Sequence, residues 1–217
     1  DLEVNNLFVA VDGGIQLTSG NTLTVNGKIN NLRSAEEFVV GNGANLIQTT
    51  DAANTGDITV IRESQEMIRL DYTMWSSPVV EQNLFGFSPM TVNGVTNHIG
   101  SEGRIYIYDG NAGYVNPQPF DENLTMAGGT GYLFRAPNNW SSTEAASYQG
   151  IFIGAPNNGN LVTNTHAGNY TSIGNPYPSN ISVSSFYAAN PGINTLYFWN
   201  NTHSSGNNYA TCTNGMG

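Results

Sequence analysis

The residues of this chain best suited to chemistry lie in short polar loops. In YDGNAG (108–113), Asp109, Asn111 and the carbonyl of Gly113 alternate, and Asp121 and Glu122 follow in a nearby loop. Calcium takes carboxylate and carbonyl oxygens from loops of this composition, so these five residues are the expected cation set. The competing reading is a solvated Asp-Gly turn, since the run lacks the third acidic position and closing glutamate of an EF-hand. In PNNWSST (137–143), Trp140 stands in a polar loop beside Asn138 and Asn139. An exposed indole stacks on a sugar ring while neighbouring amides meet its hydroxyls, which makes these three residues the expected glycan contact. A tryptophan there also suits a plainer role, covering the edge of a sheet.

Hydrolytic chemistry finds less support. Ser76 and Ser77 precede Pro78 without the Gly-x-Ser-x-Gly elbow that exposes a nucleophile, and His98, His166 and His203 fall in polar loops. Zinc would need clustered ligands; His203 and Cys212 alone do not make a site, and no HExxH or CxxC occurs. A non-enzyme is expected, with no cofactor other than calcium.

The elements that must position these loops are strands. The 217 residues carry only 10% charged side chains, and Gly, Asn, Ser and Thr supply the surface polarity instead, as in extracellular β proteins. The formal charge of −10, with one lysine and five arginines, leaves no basic stripe for nucleic acid. No apolar run approaches the roughly 20 residues that span a bilayer, so membrane insertion is not expected. Cys212 is the single cysteine, which excludes an internal disulfide framework. The chain opens on Asp1 and closes on TCTNGMG, and is expected to be a piece of something longer.

Residues 1–65 show a weak repeat. LFVAVDGG (7–14), TLTVNGK (22–28) and EFVVGNG (37–43) each place a β-type run before an Asp/Asn/Gly turn, at a step of about 15 residues. Further apolar positions follow at Ile15 and Leu17, then Ile29 and Leu32. The pattern fits a short β-solenoid-like region or a meander of hairpins. Residues 66–217 are richer in aromatics, with strands expected over 104–108, 131–135, 150–153, 169–173 and 195–199 and longer connections between them. That spacing suits a β-sandwich with Greek-key crossings. Helix is expected only at STEAASY (142–148) and at SVSSFYAAN (182–190), where Ser182 or Ser184 caps a turn ended by Pro191. In DYTMWSSPV (71–79) both faces carry bulky groups, so that strand is expected to be central; Pro176 and Pro178 fix a rigid corner around Tyr177.

The ordered phrases DYTMWSSPV, IYIYDGNAGYV, GTGYLFRAP, FIGAPNNG, IGNPYPS and LYFWNN resemble a recurrent module of very large secreted surface proteins of Bacteroidetes. The resemblance covers about residues 66–205 and implies export by the type IX secretion route and a role at the cell surface, in several relatives as an adhesin. It carries no catalytic residues. The family's usual export signal and C-terminal sorting domain have no counterpart in these residues.

Together these readings give an all-β chain: a short solenoid-like or meander region over 1–65, then an aromatic-rich Greek-key-type sandwich over 66–217. The expected function is a non-catalytic structural or adhesive module of an extracellular cell-surface protein. A carbohydrate-binding module, or the accessory domain of a secreted enzyme, is the alternative. The expected partners are cell-surface or secretion-machinery proteins, glycans, or copies of the chain itself.

Overall fold

The computed structural model describes residues 1–91, 103–117, 121–201 and 209–213, and these residues form an all-β fold. Its first part is a three-sided stack of short parallel strands. β1 (Leu2–Val4), β4 (Thr22–Val25) and β7 (Asn45–Gln48) make the first side. The second comprises β2 (Leu7–Val9) and β5 (Ile29–Asn31), extended by a parallel bridge from Asn30 to Thr55. β3 (Ile15–Leu17), β6 (Phe38–Val40) and β8 (Ile58–Met67) form the third. Every pairing within these stacks is parallel, which a hairpin meander cannot produce, so the region is solenoid-like.

The coil repeat differs from the 15-residue step read in the sequence. Side-chain hydrogen bonds linking one coil to the next span 21, 22, 23 and 25 residues. Each coil has three sides, so β-run-plus-turn phrases spaced by about 15 residues mark every second side, not every coil. Interior positions stack like on like: Leu2 over Leu23 over Leu46, Val4 over Val25, Leu17 over Val40 over Val60. Turn amides of one coil are satisfied by side chains of its neighbours, as when Asn6 Oδ1 accepts from Lys28 N at 3.0 Å and Asn54 Oδ1 from Ile29 N at 2.9 Å. Gly56, in the third coil, adopts φ +82°, and a Cβ there would drive into the Asn31 carbonyl of the second.

β8 carries the chain from coil to sandwich. One edge pairs in parallel with β6, and the other pairs antiparallel with β13 (Ala146–Gly154). A single sheet, ordered β13-β8-β6-β3, thus runs through the expected boundary at residue 65. The second sheet is ordered β11-β10-β12-β9, built from β9 (Tyr72–Trp75), β10 (Ile105–Asp109), β11 (Gly113–Val115) and β12 (Tyr132–Arg135). Between them lies α1 (Leu84–Phe87), with Leu84, Phe85 and Phe87 buried. Phe87 stacks on Phe152 of β13 at 4.6 Å and meets Trp75 of β9 and Phe134 of β12 edge-on at 5.1 and 5.3 Å. This aromatic knot and the coil interior belong to one continuous core.

Three local expectations are corrected. STEAASY is not helical: Ser141 Oγ accepts from Thr143 N and Glu144 N in a turn, and Ala146 already pairs with Met67, so the ladder with β8 overrides helix propensity. The run 169–173 forms only an isolated bridge, Ile173 to Thr130. β9 is an edge strand and not a central one. Its free edge is covered, for the Trp199 indole donates to the Tyr72 carbonyl at 2.6 Å, while Tyr72 meets Tyr106 at 6.1 Å and Trp75 packs into the aromatic knot. α2 (Val183–Ala189) forms where expected, with Ser182 Oγ accepting from Ser185 N. It precedes a two-stranded ribbon of β14 (Thr195–Trp199) and β15 (Tyr209–Thr213).

The proline corner closes the far end of the coil. Leu46 N donates to Pro178 O at 2.9 Å and Asn180 N to Asn45 Oδ1 at 2.9 Å, covering the outer edge of β7. Asn54 Nδ2 reaches Pro156 O at 3.0 Å, and Asn158 Nδ2 donates to Thr50 O and Ala52 O, both at 2.8 Å. With β13 on β8, all three sides of the third coil meet sandwich residues.

Candidate functional site

The hairpin joining β10 to β11 fixes the residues expected to hold calcium. Asp109 Oδ1 accepts from Ala112 N at 2.8 Å and from Asn111 N at 2.9 Å, and Gly113 takes φ +79° to turn the chain. Those two backbone donors lower the Asp109 carboxyl below its ordinary range. Asp121 is engaged in the same manner, its Oδ1 accepting from Asn123 N at 2.9 Å and Asn123 Nδ2 at 3.0 Å. The backbone carbonyl of Glu122 accepts from Asn83 Nδ2 at 2.7 Å. Each aspartate therefore closes its own turn. Among the described residues, no three His, Cys, Asp or Glu side chains gather into a metal-binding group.

The expected glycan residues occupy one loop at the rim of the aromatic knot. Asn138 Oδ1 accepts from the Arg135 guanidinium, while Asn139 is exposed. Trp140 is half-buried, tilted against Tyr148 at 6.1 Å, and Tyr148 Oη donates to Phe87 O at 2.7 Å. Trp140 thus covers the outside of the knot that Trp75, Phe87 and Phe152 fill.

Ser77 is buried in a local turn, donating to Val79 O at 2.7 Å and accepting from Val79 N. Ser76 packs against Gly174 and lines a cavity of about 280 Å³ with Arg62, Trp75 and Tyr177. Arg62 is committed to the end of the coil, where it donates to Gly41 O at 2.9 Å, Ile61 O at 2.8 Å and Ala44 O at 3.1 Å. Burial lowers its pKa from the ordinary arginine value. Tyr177 Oη donates to Gly159 O at 2.6 Å. Arg62 and Tyr177 are the ionisable side chains lining the cavity among the described residues. His166 is exposed, with its ring over Gly110; His98 and His203 lie outside the described residues.

A constellation absent from the sequence reading surrounds that same hairpin. Tyr108 meets Tyr114 edge-on at 5.2 Å and Tyr170 at 6.3 Å; Tyr170 meets Tyr197 at 5.4 Å, and Tyr197 meets Tyr209 at 6.4 Å. A hydrogen bond of 2.8 Å between the Tyr114 and Tyr209 hydroxyls closes the ring, and Trp199 packs on Tyr209 at 5.3 Å. Five tyrosines from the β10–β11 hairpin, the 170 loop and the β14–β15 ribbon thereby form one aromatic face, with Tyr170 60% and Tyr197 45% exposed. Burial and the Tyr209 hydroxyl hold the Tyr114 phenol well above its ordinary pKa. The neighbouring Tyr170 phenol raises the Tyr197 pKa as well.

The family model described as Domain of unknown function (DUF8693) matches residues 1–215. The chain belongs to that family. No curated protein and no solved structure matches it. The DUF8693 match takes in coil, sandwich and tyrosine ring alike, so all three lie within one family unit. Among the described residues of this DUF8693 chain, no helix is long and apolar enough to cross a membrane.

Proposed function

We infer that this chain is a non-catalytic structural and adhesive module of an extracellular cell-surface protein, exported by the type IX route that its sequence resemblance implies. The observation that carries the adhesive part is the tyrosine face. Tyrosine brings a large flat ring and a hydroxyl at low conformational cost, and it binds chemically varied surfaces without a charged partner. Tyr170 and Tyr197 present that chemistry to solvent while their neighbours hold them by edge-on contacts. Support for the structural part comes from the coil, whose interior packs into the sandwich core without a break. Arg62, the cation in the cavity, is spent on backbone carbonyls, which fits a scaffold better than a catalytic pocket.

The second reading, a carbohydrate-binding module, is favoured by the same tyrosines more than by Trp140, because their rings are the more exposed. Retention of the 217-residue chain on polystyrene, on glass and on a panel of immobilised neutral glycans separates the two. Tyr170→Ala combined with Tyr197→Ala is expected to weaken retention about tenfold, the effect of losing roughly 1.4 kcal/mol of contact energy. Trp140→Ala should leave retention unchanged. Loss confined to glycans selects the carbohydrate reading; loss on all surfaces selects general adhesion. Equal retention of the double variant and the parent on every surface would remove the tyrosine face from both.

A further inference from the structure

The cavity between the end of the coil and the sandwich holds a cation whose charge nothing offsets. All the residues that line it fall between Arg62 and Asn180. Arg62 donates from Nη1 to Gly41 O and Ile61 O and from Nη2 to Ala44 O, and its Nε–H is neither bonded nor sealed from solvent. Among the described residues it makes no ion pair. Glu63, its neighbour in β8, is exposed and accepts from Asn42 Nδ2 at 3.4 Å. Carbonyl dipoles fix the guanidinium but leave its net charge standing, and a partly buried charge without a carboxylate is costly. Nε–H and one Nη2 hydrogen remain to receive an anion.

The rest of the wall suits the body of a single ring. Met74, Trp75, Ile173 and the Tyr177 ring supply apolar surface. Tyr177 stands between the buried Pro176 and Pro178, and its hydroxyl donates to Gly159 O at 2.6 Å. Arg62 and Tyr177 are thus held in place before any ligand arrives, which lowers the ordering cost of binding. Ser179 is half-buried and Asn180 exposed, so this side of the cavity opens to solvent, and neither side chain makes a bond among the described residues. A volume of about 280 Å³ falls just under the roughly 300 Å³ at which pockets for drug-sized molecules begin, so one ring fits and a longer chain enters by its end.

We propose that this cavity binds an acidic sugar unit, a hexuronate, with its carboxylate on Arg62, its ring against Met74 and Tyr177, and its hydroxyls on the Ser179 and Asn180 side chains. The carboxylate supplies the missing counter-charge in the geometry a guanidinium prefers. A neutral hexose leaves Arg62 as it is. A peptide terminus brings a carboxylate but no ring hydroxyls, so it leaves Ser179 and Asn180 unused. The site lies apart from the tyrosine ring and does not depend on the adhesive reading.

Nuclear magnetic resonance titration of the 217-residue chain with D-glucuronate tests the proposal through the indole N–H signals of its 3 tryptophans. Trp75 lines the cavity, whereas Trp140 and Trp199 do not. The Trp75 signal is expected to shift and saturate in the millimolar range while the other two stay still. D-glucose, without the carboxylate, and N-acetylglycine, the carboxylate of a peptide end without the ring, should each bind at least about tenfold more weakly. Arg62→Gln should abolish the shift, but it also strips donors from coil carbonyls, so the exposed Asn180 side chain provides a test independent of folding. Asn180→Lys should tighten binding about threefold and Asn180→Asp weaken it about threefold. Tyr170→Ala combined with Tyr197→Ala should bind D-glucuronate like the parent, and Asn180→Asp should keep the parent's retention on polystyrene, so the two sites stand or fall separately. Lack of a saturable Trp75 shift, equal binding of D-glucose or N-acetylglycine, a shift at Trp199 in its place, or Asn180 variants that match the parent would each overturn it.

Discussion

Tyr114 shows how a single side chain can tie two hairpins together and set a pH limit on doing so. Its hydroxyl meets that of Tyr209 at 2.8 Å, and burial followed by that bond raises its pKa above the ordinary tyrosine value of about 10. The native state thus keeps a proton that the unfolded chain releases above about pH 10. Since the unfolded chain binds fewer protons there, the Tyr114 contribution is intact below that pH and declines as pH rises further. Urea midpoints measured from about pH 8 to about pH 11 should fall for the parent chain and fall less steeply for Tyr114→Phe. Parallel curves would mean that Tyr114 titrates alike in both states. The sequence hid this constellation because its five members are spread over more than a hundred positions, from Tyr108 to Tyr209, with no spacing of their own. Only the crowding of aromatics in IYIYDGNAGYV and LYFWNN hinted at it. Asp109, conspicuous in the same phrase, instead caps the hairpin that presents Tyr108 and Tyr114.

At the scale of elements, α1 illustrates how a four-residue helix carries weight beyond its length. Phe87 is the centre of the aromatic knot, yet so short a helix has little stability of its own. Asn83 supplies what is missing: its Oδ1 accepts from Gly86 N at 2.6 Å, and its Nδ2 donates to Glu122 O at 2.7 Å, fastening the turn to the next loop. Asn83→Ala is expected to cost about 1–2 kcal/mol of unfolding free energy, and Asn83→Asp, which keeps the cap acceptor, less than that. Equilibrium denaturation of the two variants checks the order; equal losses would assign the effect to the Glu122 contact alone. Local signals of this kind were readable where a cap or a turn dictates the backbone, as at Ser182 before α2 and the Asp/Asn/Gly turns of the coil. They failed where pairing decides. Nothing within STEAASY foretells that β8 will offer its free edge to Ala146, and nothing within DYTMWSSPV foretells that Trp199 will cover Tyr72. The coil was legible as a repeat but not as a period, because a three-sided coil shows a one-dimensional reader its sides before its turns.

For the whole molecule, the decisive strand is β8. Its first half is the last rung of the coil's third side, and from Ile58 to Met67 it pairs with β13 of the sandwich, broken only by a register shift between Ser147 and Gln149. Val60 stacks beneath Val40 in the coil interior and lies opposite Phe152, a member of the aromatic knot, in the β8–β13 register. Arg62 bonds carbonyls of the coil from the same strand, and the Pro178 corner closes the coil from a segment more than a hundred residues away. Separating the parts would expose the coil's third rung and leave buried carbonyls without donors, which costs far more than a linker would. A domain boundary drawn at residue 65 from the change in composition therefore runs through a shared sheet, whatever the histories of the two parts. One cooperative transition is the expected consequence. Tryptophan fluorescence reports the sandwich, where Trp75 is buried, and far-UV circular dichroism reports both parts. Their thermal or urea curves should superimpose, and Gly56→Ala, which forces a Cβ into the Asn31 carbonyl deep in the coil, should shift both by the same amount. If that substitution moved the dichroism curve while the fluorescence midpoint stayed in place, coil and sandwich would be independent folding units, and β8 a linker between them instead of the strand that joins their cores.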